Sequence, residues 1–336
     1  MLSATLSAMA AKPVQVYILM GQSNMLGEGK INGATNGTLE FAVKTEHKYP
    51  YLWNASSNSW AVSPNVRNVF IMGSGNASFQ DSKLQHNESM TVTGSTIGPE
   101  LGIGWSLGNY TSEPVMALKS CIGNRALGWD LLPPDTPSFD YVDPKNASLV
   151  WTYAGYHQSP NRWEKGTTPV PIGWEAGEQY DGDTSRAAHI LADLANYYPG
   201  ASSFEVAGFF WWQGDKDSRD LALAQKYERN LAKLIKTLRK QFNAPNAKFV
   251  TASLGQTVKG DTDGGGLILD AMLKVAQYPE FKGNVAAVYT HPLSMGSSSG
   301  SHYGGNAETY MNVGEAMGKA MVGLLKGQSA EQLVEA

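Results

Sequence analysis

The sequence has little cysteine, little excess charge and no long apolar run. The single cysteine, Cys121, excludes an internal disulfide framework and any zinc site built from several cysteines. Lys and Arg number 26 against 30 Asp and Glu, which gives a formal net charge of -4 and disfavours duplex nucleic acid as a partner. No stretch approaches the roughly 20 apolar residues that span a bilayer. We therefore expect neither a nucleic acid partner nor a membrane.

Apolar and aromatic residues are plentiful. Hydrophobic residues make up 42% of the 336 residues and charged residues 17%, which is enough apolar material for a large core. Glycine is also abundant, with 36 residues, alongside 9 Trp and 15 Tyr. This composition is typical of a loop-rich globular protein with aromatic surfaces.

Short apolar runs alternate with helical patterns along the chain. Predicted buried strands cover residues 14–20, 115–119, 204–212, 248–253 and 285–290. Predicted helices cover residues 99–107, 185–197, 218–242, 267–276 and 307–325. This alternation predicts an α/β fold, a doubly wound and mainly parallel five-stranded sheet that binds ligands beyond the carboxyl ends of its strands.

Two long segments interrupt the alternation, residues 31–95 and residues 124–184. Both follow predicted strands and are rich in aromatic residues, so we predict two ordered loop insertions at the carboxyl edge of the sheet. The motifs described below are spread over both halves of the chain. We therefore predict a single domain over residues 13–328.

Residues 1–12 are predicted to be a leader or the remnant of a signal peptide. Ala8-Met9-Ala10 fits the small-x-small pattern of a signal peptidase site, although the basic n-region is missing. A disordered leader is the alternative. The cleavage-like site is the basis for expecting a secreted or periplasmic protein.

The first motif that points to chemistry is Met20-Gly21-Gln22-Ser23-Asn24-Met25, at the end of the first predicted strand. A serine there can present its hydroxyl to solvent and its backbone N–H to an oxyanion. Met25 replaces the second glycine of a G-x-S-x-G elbow, so an ordinary α/β-hydrolase is disfavoured. The alternative role of Ser23 is to cap the next helix.

Three further motifs lie at corresponding places. Gln213, in Trp211-Trp212-Gln213-Gly214-Asp215-Lys216-Asp217, offers a side-chain N–H after the third strand, and Gly123 offers a backbone N–H after the second. His302 precedes the last helix, and a neutral imidazole within hydrogen-bond reach of a serine is the usual way to activate it. Each motif alone also fits an ordinary turn or a packing residue.

Together these motifs resemble those of the SGNH hydrolases. Within that superfamily the chain is similar to the branch that contains sialate O-acetylesterase and the acetylxylan esterases of carbohydrate esterase family six. Gly98-Pro99-Glu100-Leu101 resembles a GPE segment of the same branch. The resemblance spans roughly residues 14–325 and implies the flavodoxin-like SGNH hydrolase fold.

The resemblance also implies roles for individual residues. Ser23 would be the nucleophile and His302 the general base, and the oxyanion hole would consist of the Ser23 amide, the Gly123 amide and the Gln213 side chain. The implied reaction removes O-acetyl groups from carbohydrates through an acetyl-serine intermediate, with an acetylated carbohydrate as partner and no metal or cofactor. The candidate substrate-binding residues are Gln22, Asn24, Asn124 and Glu100.

The sequence departs from the family at one position. The family usually places an Asp three residues before the histidine, where this chain has Ser299. Three explanations stay open: a backbone carbonyl of residues 297–300 orients His302, a remote acid such as Asp215 or Asp217 does so, or the site is weakened. An unreplaced acid lowers the kcat of a Ser-His-Asp triad by about 10⁴.

Two other functions stay open beside the carbohydrate acetylesterase. One is a serine hydrolase of the same fold that acts on another acyl ester, and the other is a catalytically weak glycan-binding protein, which Ser299 suggests. The aromatic side chains of residues 124–184 could stack on sugar rings or form a small auxiliary core.

Overall fold

The computed structural model describes residues 12–328. Residues 1–11, which hold most of the predicted leader and its Ala8-Met9-Ala10 sequence, lie outside the described residues. Across the range that is described, no helix combines the length and the apolar character that a membrane crossing requires.

Strands and helices alternate over most of this range. The strands are β1 (Val14–Gly21), β2 (Gly29–Lys30), β3 (Trp53–Asn54), β4 (Ser59–Trp60), β5 (Val66–Met72), β6 (Lys83–Ser89), β7 (Thr96–Ile97), β8 (Val115–Ser120), β9 (Phe139–Asp143), β10 (Asn146–Tyr153), β11 (Arg162–Glu164), β12 (Phe204–Trp212), β13 (Lys248–Ala252) and β14 (Val285–Val288). The α-helices are α1 (Ser23–Leu26), α2 (Leu39–Lys44), α3 (Glu100–Tyr110), α4 (Glu178–Ala192), α5 (Leu194–Tyr197), α6 (Asp215–Ser218), α7 (Leu221–Ala224), α8 (Tyr227–Gln241), α9 (Gly264–Ala276) and α10 (Ala307–Leu325). The 3₁₀ helices are Pro50–Leu52, His291–Leu293 and Ser299–Gly305.

The central sheet has seven strands in the order β14-β13-β12-β1-β8-β5-β6. Its neighbouring strands are parallel, except that β6 runs antiparallel to β5 at the edge. The mixed α/β class and the mainly parallel sheet are thereby confirmed. All five predicted strands are present, as β1, β8, β12, β13 and β14, but the predicted number of five is wrong.

The two additional strands, β5 and β6, come from residues 31–95, which we expected to be a loop insertion. In β5 the side chains of Val66, Val69, Phe70 and Ile71 are buried, but the run is short and flanked by Ser and Asn residues typical of loops. Strand β6 lies at the sheet edge, is half exposed and carries mainly polar residues. An edge strand needs no apolar run, so hydrophobic periodicity could not detect it.

Helices cover both faces of the sheet and close two hydrophobic cores. One core packs α4, α8 and α9 against the sheet, and the other packs α3 and α10 against the opposite face. In α8 the fully buried aliphatic side chains are Leu231, Leu234, Ile235 and Leu238. Burying each of them contributes at most about 1.5–3 kcal/mol.

The predicted helix over residues 218–242 is divided into α6, α7 and α8. The break between α6 and α7 occurs at Asp220, whose carboxylate accepts a hydrogen bond from the Ala222 N–H at 3.0 Å and caps α7. The same carboxylate accepts a hydrogen bond from the Tyr153 hydroxyl at 3.0 Å. Capping by an aspartate thus interrupts a sequence whose apolar spacing is helical throughout.

Residues 124–184 contain a small antiparallel sheet of β9, β10 and β11. A third hydrophobic core lies beneath it and includes the buried rings of Trp129 and Tyr153. Trp151, Trp163 and Trp174 are half-buried against this core. Most of the aromatic residues of this segment therefore form an auxiliary core, one of the two alternatives that the sequence left open.

The strand order determines where the sequence motifs meet. Strand β1 lies between β12 and β8, so the turns that carry Gln213, Ser23 and Gly123 are neighbours at the carboxyl edge. Ligands bind at this edge in open α/β sheets. The turn Ser299–Gly305, which carries His302, precedes α10 and packs on α1.

Candidate active site

Ser23 begins a single helical turn directly after β1. Gly21, with a φ of +151°, allows the chain to pass close to the WWQGDKD motif, because a Cβ at this position would lie 2.3 Å from the Trp212 carbonyl oxygen. The Leu26 N–H then donates to the Gln22 carbonyl at 2.9 Å. Ser23 is mostly buried, with 8% of its surface exposed, so its hydroxyl lies at the boundary between core and solvent.

Gly123, from the turn after β8, lies directly against Ser23. A Cβ built on Gly123 would be 3.6 Å from the Ser23 Cβ. In the described part of the chain, neither the Ser23 N–H nor the Gly123 N–H donates to a backbone carbonyl. Two adjacent, unpaired amides beside a serine can stabilise an oxyanion on an acyl group attached to that serine.

The turn that contains Gly123 is held by its carbonyl groups. Arg125 Nη1 donates to the Gly123 carbonyl at 3.4 Å and to the Asn124 carbonyl at 3.2 Å, and Lys216 Nζ donates to the Asn124 carbonyl at 3.1 Å. Asn124 adopts the left-handed conformation, with a φ of +56°, and is exposed. Arg125 and Lys216 were not among the predicted site residues, because no motif around them indicates this role.

Gln213 is completely buried beneath these turns. Its Nε2 lies 3.0 Å from Gln22 Oε1, 2.8 Å from the Arg125 carbonyl and 2.6 Å from Asp217 Oδ2. Its Oε1 accepts a hydrogen bond from the Tyr227 hydroxyl at 2.8 Å. The amide hydrogens of Gln213 are therefore directed at protein acceptors and not at the Ser23 hydroxyl.

Three of the four predicted substrate-binding residues are also buried. Gln22 accepts the hydrogen bond from Gln213, and Asn24 Nδ2 donates to the Tyr303 hydroxyl at 3.3 Å. Glu100 accepts a hydrogen bond from the Gly98 N–H at 3.0 Å. Their side chains take part in the interior hydrogen bonding of the site, and only Asn124 is exposed where a substrate could reach it.

Beneath the turn that carries Ser23 lies a buried ion pair that none of the sequence motifs predicted. Lys119 Nζ is 2.7 Å from Glu100 Oε2 and donates to the carbonyls of Leu26 at 2.8 Å and Met25 at 3.3 Å. The ammonium thus satisfies carbonyls at the end of α1, and Glu100 balances its charge. A lysine inside the otherwise apolar strand β8 was the available sequence signal.

His302 lies in a left-handed turn. His302 and Tyr303 both have a φ of +54°, a conformation that is uncommon for residues other than glycine. The buried Tyr303 ring stacks on Trp212 at a centroid distance of 5.9 Å, and its hydroxyl accepts hydrogen bonds from Asn24 Nδ2 and from the Gly255 N–H at 3.2 Å. Tyr303 thereby attaches the histidine turn to the turn that carries Ser23 and Asn24.

The serine and the histidine are not hydrogen-bonded to each other. Among residues 12–328 the hydrogen bond between the two turns joins Asn24 to Tyr303, and none joins the Ser23 hydroxyl to the His302 ring. Catalytic hydrogen bonds are often long without substrate and tighten when it binds. The His302 side chain is half-exposed and lies on a turn at the same sheet edge.

Ser299, which replaces the family's acid, is in contact with a carboxylate. The Ser299 hydroxyl donates to Asp215 Oδ1 at 2.8 Å, and the Ser299 N–H donates to Gln256 Oε1 at 3.1 Å. Arg219 pairs with the other oxygen of Asp215. The WWQGDKD motif therefore places a carboxylate beside the position three residues before His302.

Asp217, the other acid considered, has a different environment. Its carboxylate accepts hydrogen bonds from the N–H groups of Leu127 and Gly128, both at 2.8 Å, and from Gln213. Burial raises the pKa of Asp217 to about 6. Gln213 lies in the WWQGDKD motif, and Leu127 and Gly128 lie at the start of residues 124–184. Asp217 therefore joins those two segments.

No group of three or more His, Cys, Asp or Glu side chains within residues 12–328 is arranged to hold a metal ion. The chemistry assembled at this edge consists of a serine, two free amides, a histidine and a carboxylate. A family model described as carbohydrate esterase, sialic acid-specific acetylesterase, matches residues 148–323, just over half of the chain.

The chain belongs to this family of carbohydrate esterases. The predicted resemblance to the sialate O-acetylesterase branch is thereby confirmed, and the protein is a carbohydrate acetylesterase. The matched residues include Gln213, Asp215, Ser299 and His302. Ser23 and Gly123 lie before the matched range and are connected to it by the sheet order and by the contacts described above.

Comparison with solved structures concerns the fold. The carbohydrate acetylesterase XAC1771 from Xanthomonas citri is 16% identical, with a TM-score of 0.55. The match covers 94% of this chain and 57% of that one, and it shows a shared fold. A protein of Arabidopsis thaliana is 18% identical over 93% of this chain and 98% of its own, with a TM-score of 0.48. No curated protein matches the chain.

Proposed function

We propose that this carbohydrate esterase removes O-acetyl groups from sugar hydroxyls through an acetyl-Ser23 intermediate, with His302 as the general base. The arrangement that carries the proposal is the contact between Ser23 and Gly123, whose neighbouring amides lack backbone acceptors. Such a pair favours a reaction in which negative charge develops on an acyl oxygen attached to Ser23.

The reaction has two half-reactions. His302 takes the proton from the Ser23 hydroxyl as its oxygen attacks the acetyl carbonyl carbon, and the amides of Ser23 and Gly123 stabilise the resulting oxyanion. His302 then returns the proton to the sugar oxygen, which leaves as a hydroxyl. In the second half-reaction His302 activates a water molecule that cleaves the acetyl-serine ester and releases acetate.

We assign Asp215 as the acid that supports His302, with Ser299 between them. The Ser299 hydroxyl donates a hydrogen bond to Asp215, so the lone pairs of its oxygen are free to accept a hydrogen bond from the Nδ1–H of the imidazole. The carboxylate would stabilise the imidazolium through this serine. Among the three explanations that the sequence left open, we therefore propose the remote acid, with Asp215 rather than Asp217 in that role.

The buried polar residues have supporting roles in this proposal. Gln213 contacts Gln22 and the Arg125 carbonyl, so it orients the two turns that carry the oxyanion amides. We assign it this positioning role in place of the direct oxyanion donor role predicted from the sequence. Asn24 and Glu100 support α1 from within. Asn124 is the residue that we assign to substrate contact, because it is exposed beside Gly123.

The proposal is tested by replacing Ser23 with Ala and comparing it with Ser301→Ala, an exposed serine one residue before His302. Loss of the nucleophile of a serine hydrolase lowers kcat by roughly 10⁶-fold. We expect a loss of this order for Ser23→Ala and near-normal acetate release for Ser301→Ala. Retention of activity by Ser23→Ala would refute the assignment. Acetylated sialosides and acetylated xylan, assayed side by side, would identify the preferred glycan.

A further inference from the structure

Helix α8 carries a stripe of five cationic side chains that the catalytic proposal does not use. Successive members of the stripe are separated alternately by three and four residues, the spacing of one helix face. The cationic stripe consists of Lys226, at the N-cap, and Arg229, Lys233, Lys236 and Lys240. It spans about 21 Å at 1.5 Å per residue. The apolar side chains of α8 lie on the opposite side, in the core.

Most of the cationic stripe is not neutralised by the protein. Lys236 pairs with Glu280 at 2.6 Å, and Lys233 Nζ donates to the Asp135 carbonyl at 2.8 Å. The structure, over residues 12–328, shows no ion pair for Lys226, Arg229 or Lys240. These unpaired cations are concentrated on one face of a chain whose net charge is -4. Internal ion pairing therefore does not account for the stripe.

The one acid of α8 close to these cations is already paired. Glu228 lies 2.9 Å from Lys274 Nζ and also accepts a hydrogen bond from the Tyr278 hydroxyl. Its negative charge is therefore largely offset by a lysine from α9. The excess positive charge along the cationic stripe remains available to an external anion.

A groove of about 580 Å³ lies along the stripe. Its lining includes Lys226, Arg229, Lys233 and Lys236, together with the paired Glu228 and with Tyr278. The Phe139 ring contacts two of these cations, with Lys226 Nζ 5.2 Å and the Arg229 guanidinium carbon 5.6 Å from its centroid. Cation–π contacts of this kind keep both cations near the groove.

The groove begins near the catalytic edge of the sheet. Tyr227, the residue after Lys226, donates a hydrogen bond to Gln213 beneath the active site. From there α8 runs back along the flank toward the amino ends of the strands, because it connects the end of β12 to the start of β13. A polymer that lies in the groove would thus reach the edge where Ser23 is located.

We propose that the cationic stripe binds an anionic polysaccharide, a carbohydrate chain with regularly spaced carboxylate or sulfate groups. Repeated cations match repeated anions, and the tyrosine ring at the groove offers a face for a sugar ring. Carbohydrate is favoured over nucleic acid because the family acts on carbohydrates and the whole chain is acidic. The binding surface is separate from the catalytic residues and would increase the local concentration of acetylated polymer.

The test compares two triple variants with the same change of charge. The stripe variant carries Lys226→Gln, Arg229→Gln and Lys240→Gln. The control variant carries Lys145→Gln, Lys259→Gln and Lys326→Gln, three exposed lysines outside α8. Binding of polygalacturonate, dextran sulfate and uncharged dextran is measured by affinity electrophoresis at low and at physiological salt, and p-nitrophenyl acetate hydrolysis reports on the catalytic site.

We expect the stripe variant to bind at least one of the two anionic polymers about tenfold more weakly than the parent protein, and the control variant to bind it normally. The polymer with the larger change identifies carboxylate or sulfate as the recognised group. Both variants should hydrolyse p-nitrophenyl acetate normally, so failure of this proposal is distinguishable from failure of the catalytic one. Equal weakening in both variants, equal binding of uncharged dextran, or equally tight binding of a DNA oligonucleotide would overturn the proposal.

Discussion

The two halves of the active site are held in place by different means. The half that carries Ser23 and Gly123 is formed by the ends of neighbouring parallel strands and is fixed by buried groups such as Lys119 and Gln213. The half that carries His302 is a left-handed turn far along the chain, attached through Tyr303 and Ser299. The first half depends on strand order, whereas the second depends on a few long-range hydrogen bonds.

The difference suggests which changes should affect catalysis and which should affect folding. Removing a contact of the histidine turn should change kcat more than the stability of the fold, because few core residues depend on that turn. Removing a buried group under the Ser23 turn should destabilise the whole protein, since it leaves a charge or a polar group unpaired in the interior.

Among changes around the histidine turn, the largest effect on catalysis should come from Asp215→Asn. If Asp215 supports the imidazole through Ser299, kcat should fall by up to about 10⁴, as in triads that lose their acid. The matched test is the exchange Asp215→Ser with Ser299→Asp, which moves the carboxylate to the family's usual position. This double variant should regain much of the lost kcat. An unchanged kcat in Asp215→Asn would refute the assignment of Asp215 as the supporting acid.

The largest effect on folding should come from Lys119→Met. The change leaves Glu100 without its partner in the interior, and breaking a buried pair in this way costs about 3–5 kcal/mol. Urea denaturation should show the loss, and the double variant Lys119→Met, Glu100→Gln should recover part of it because no buried charge remains. If single and double variants are equally unstable, the carbonyl contacts of Lys119 outweigh the ion pair.

A smaller effect should appear in the pH dependence of stability. Burial raises the pKa of Asp217 from 3.8 to about 6, so folding favours its protonated form. Its contribution to stability is full below pH 3.8 and is lost as the pH rises through about 6. Asp217→Asn cannot titrate, and its free energy of unfolding should decline less than that of the parent between pH 4 and 6. A steeper decline in the variant would contradict the raised pKa.

The smallest effect should come from Tyr303→Phe. The change removes the hydroxyl that accepts hydrogen bonds from Asn24 and Gly255, and unpaired buried donors cost about 1–3 kcal/mol. We expect a lower kcat with little change in KM, since the histidine turn loosens while the substrate contacts remain. Tyr310→Phe is the control in the same aromatic cluster, because it removes a buried hydroxyl that accepts no hydrogen bond from Asn24 or Gly255. Equal effects of the two variants would exclude a positioning role for Tyr303.

The sequence predicted the parts of the fold that depend on local patterns. The five apolar strands and helix α10 were located because buried parallel strands and long amphipathic helices have strong hydrophobic periodicity. Strands β5 and β6 were missed because one is short and flanked by loop-like residues and the other is a polar edge strand. Asp220, whose side chain caps α7, divided a helix that apolar spacing alone predicted to be continuous.

The sequence also predicted part of the candidate active site. The proximity of the Ser23, Gly123 and Gln213 turns follows from three motifs at the ends of adjacent strands. The burial of Gln22, Asn24 and Glu100 does not, because a polar residue in a motif has the same sequence signature whether it faces the substrate or the core. The contact between Ser299 and Asp215 joins residues 84 positions apart and depends on the tertiary fold.

The most direct test of the proposed mechanism is to trap the acetyl-Ser23 intermediate. The parent protein is mixed rapidly with p-nitrophenyl acetate, quenched in acid, digested and analysed by mass spectrometry. If Ser23 is the nucleophile, one acetyl group will be found on the peptide that contains Ser23 during turnover, and it will be absent from the Ser23→Ala variant. An acetyl group on another residue, or rapid turnover with Ser23 always unmodified and no burst of p-nitrophenol, would contradict it.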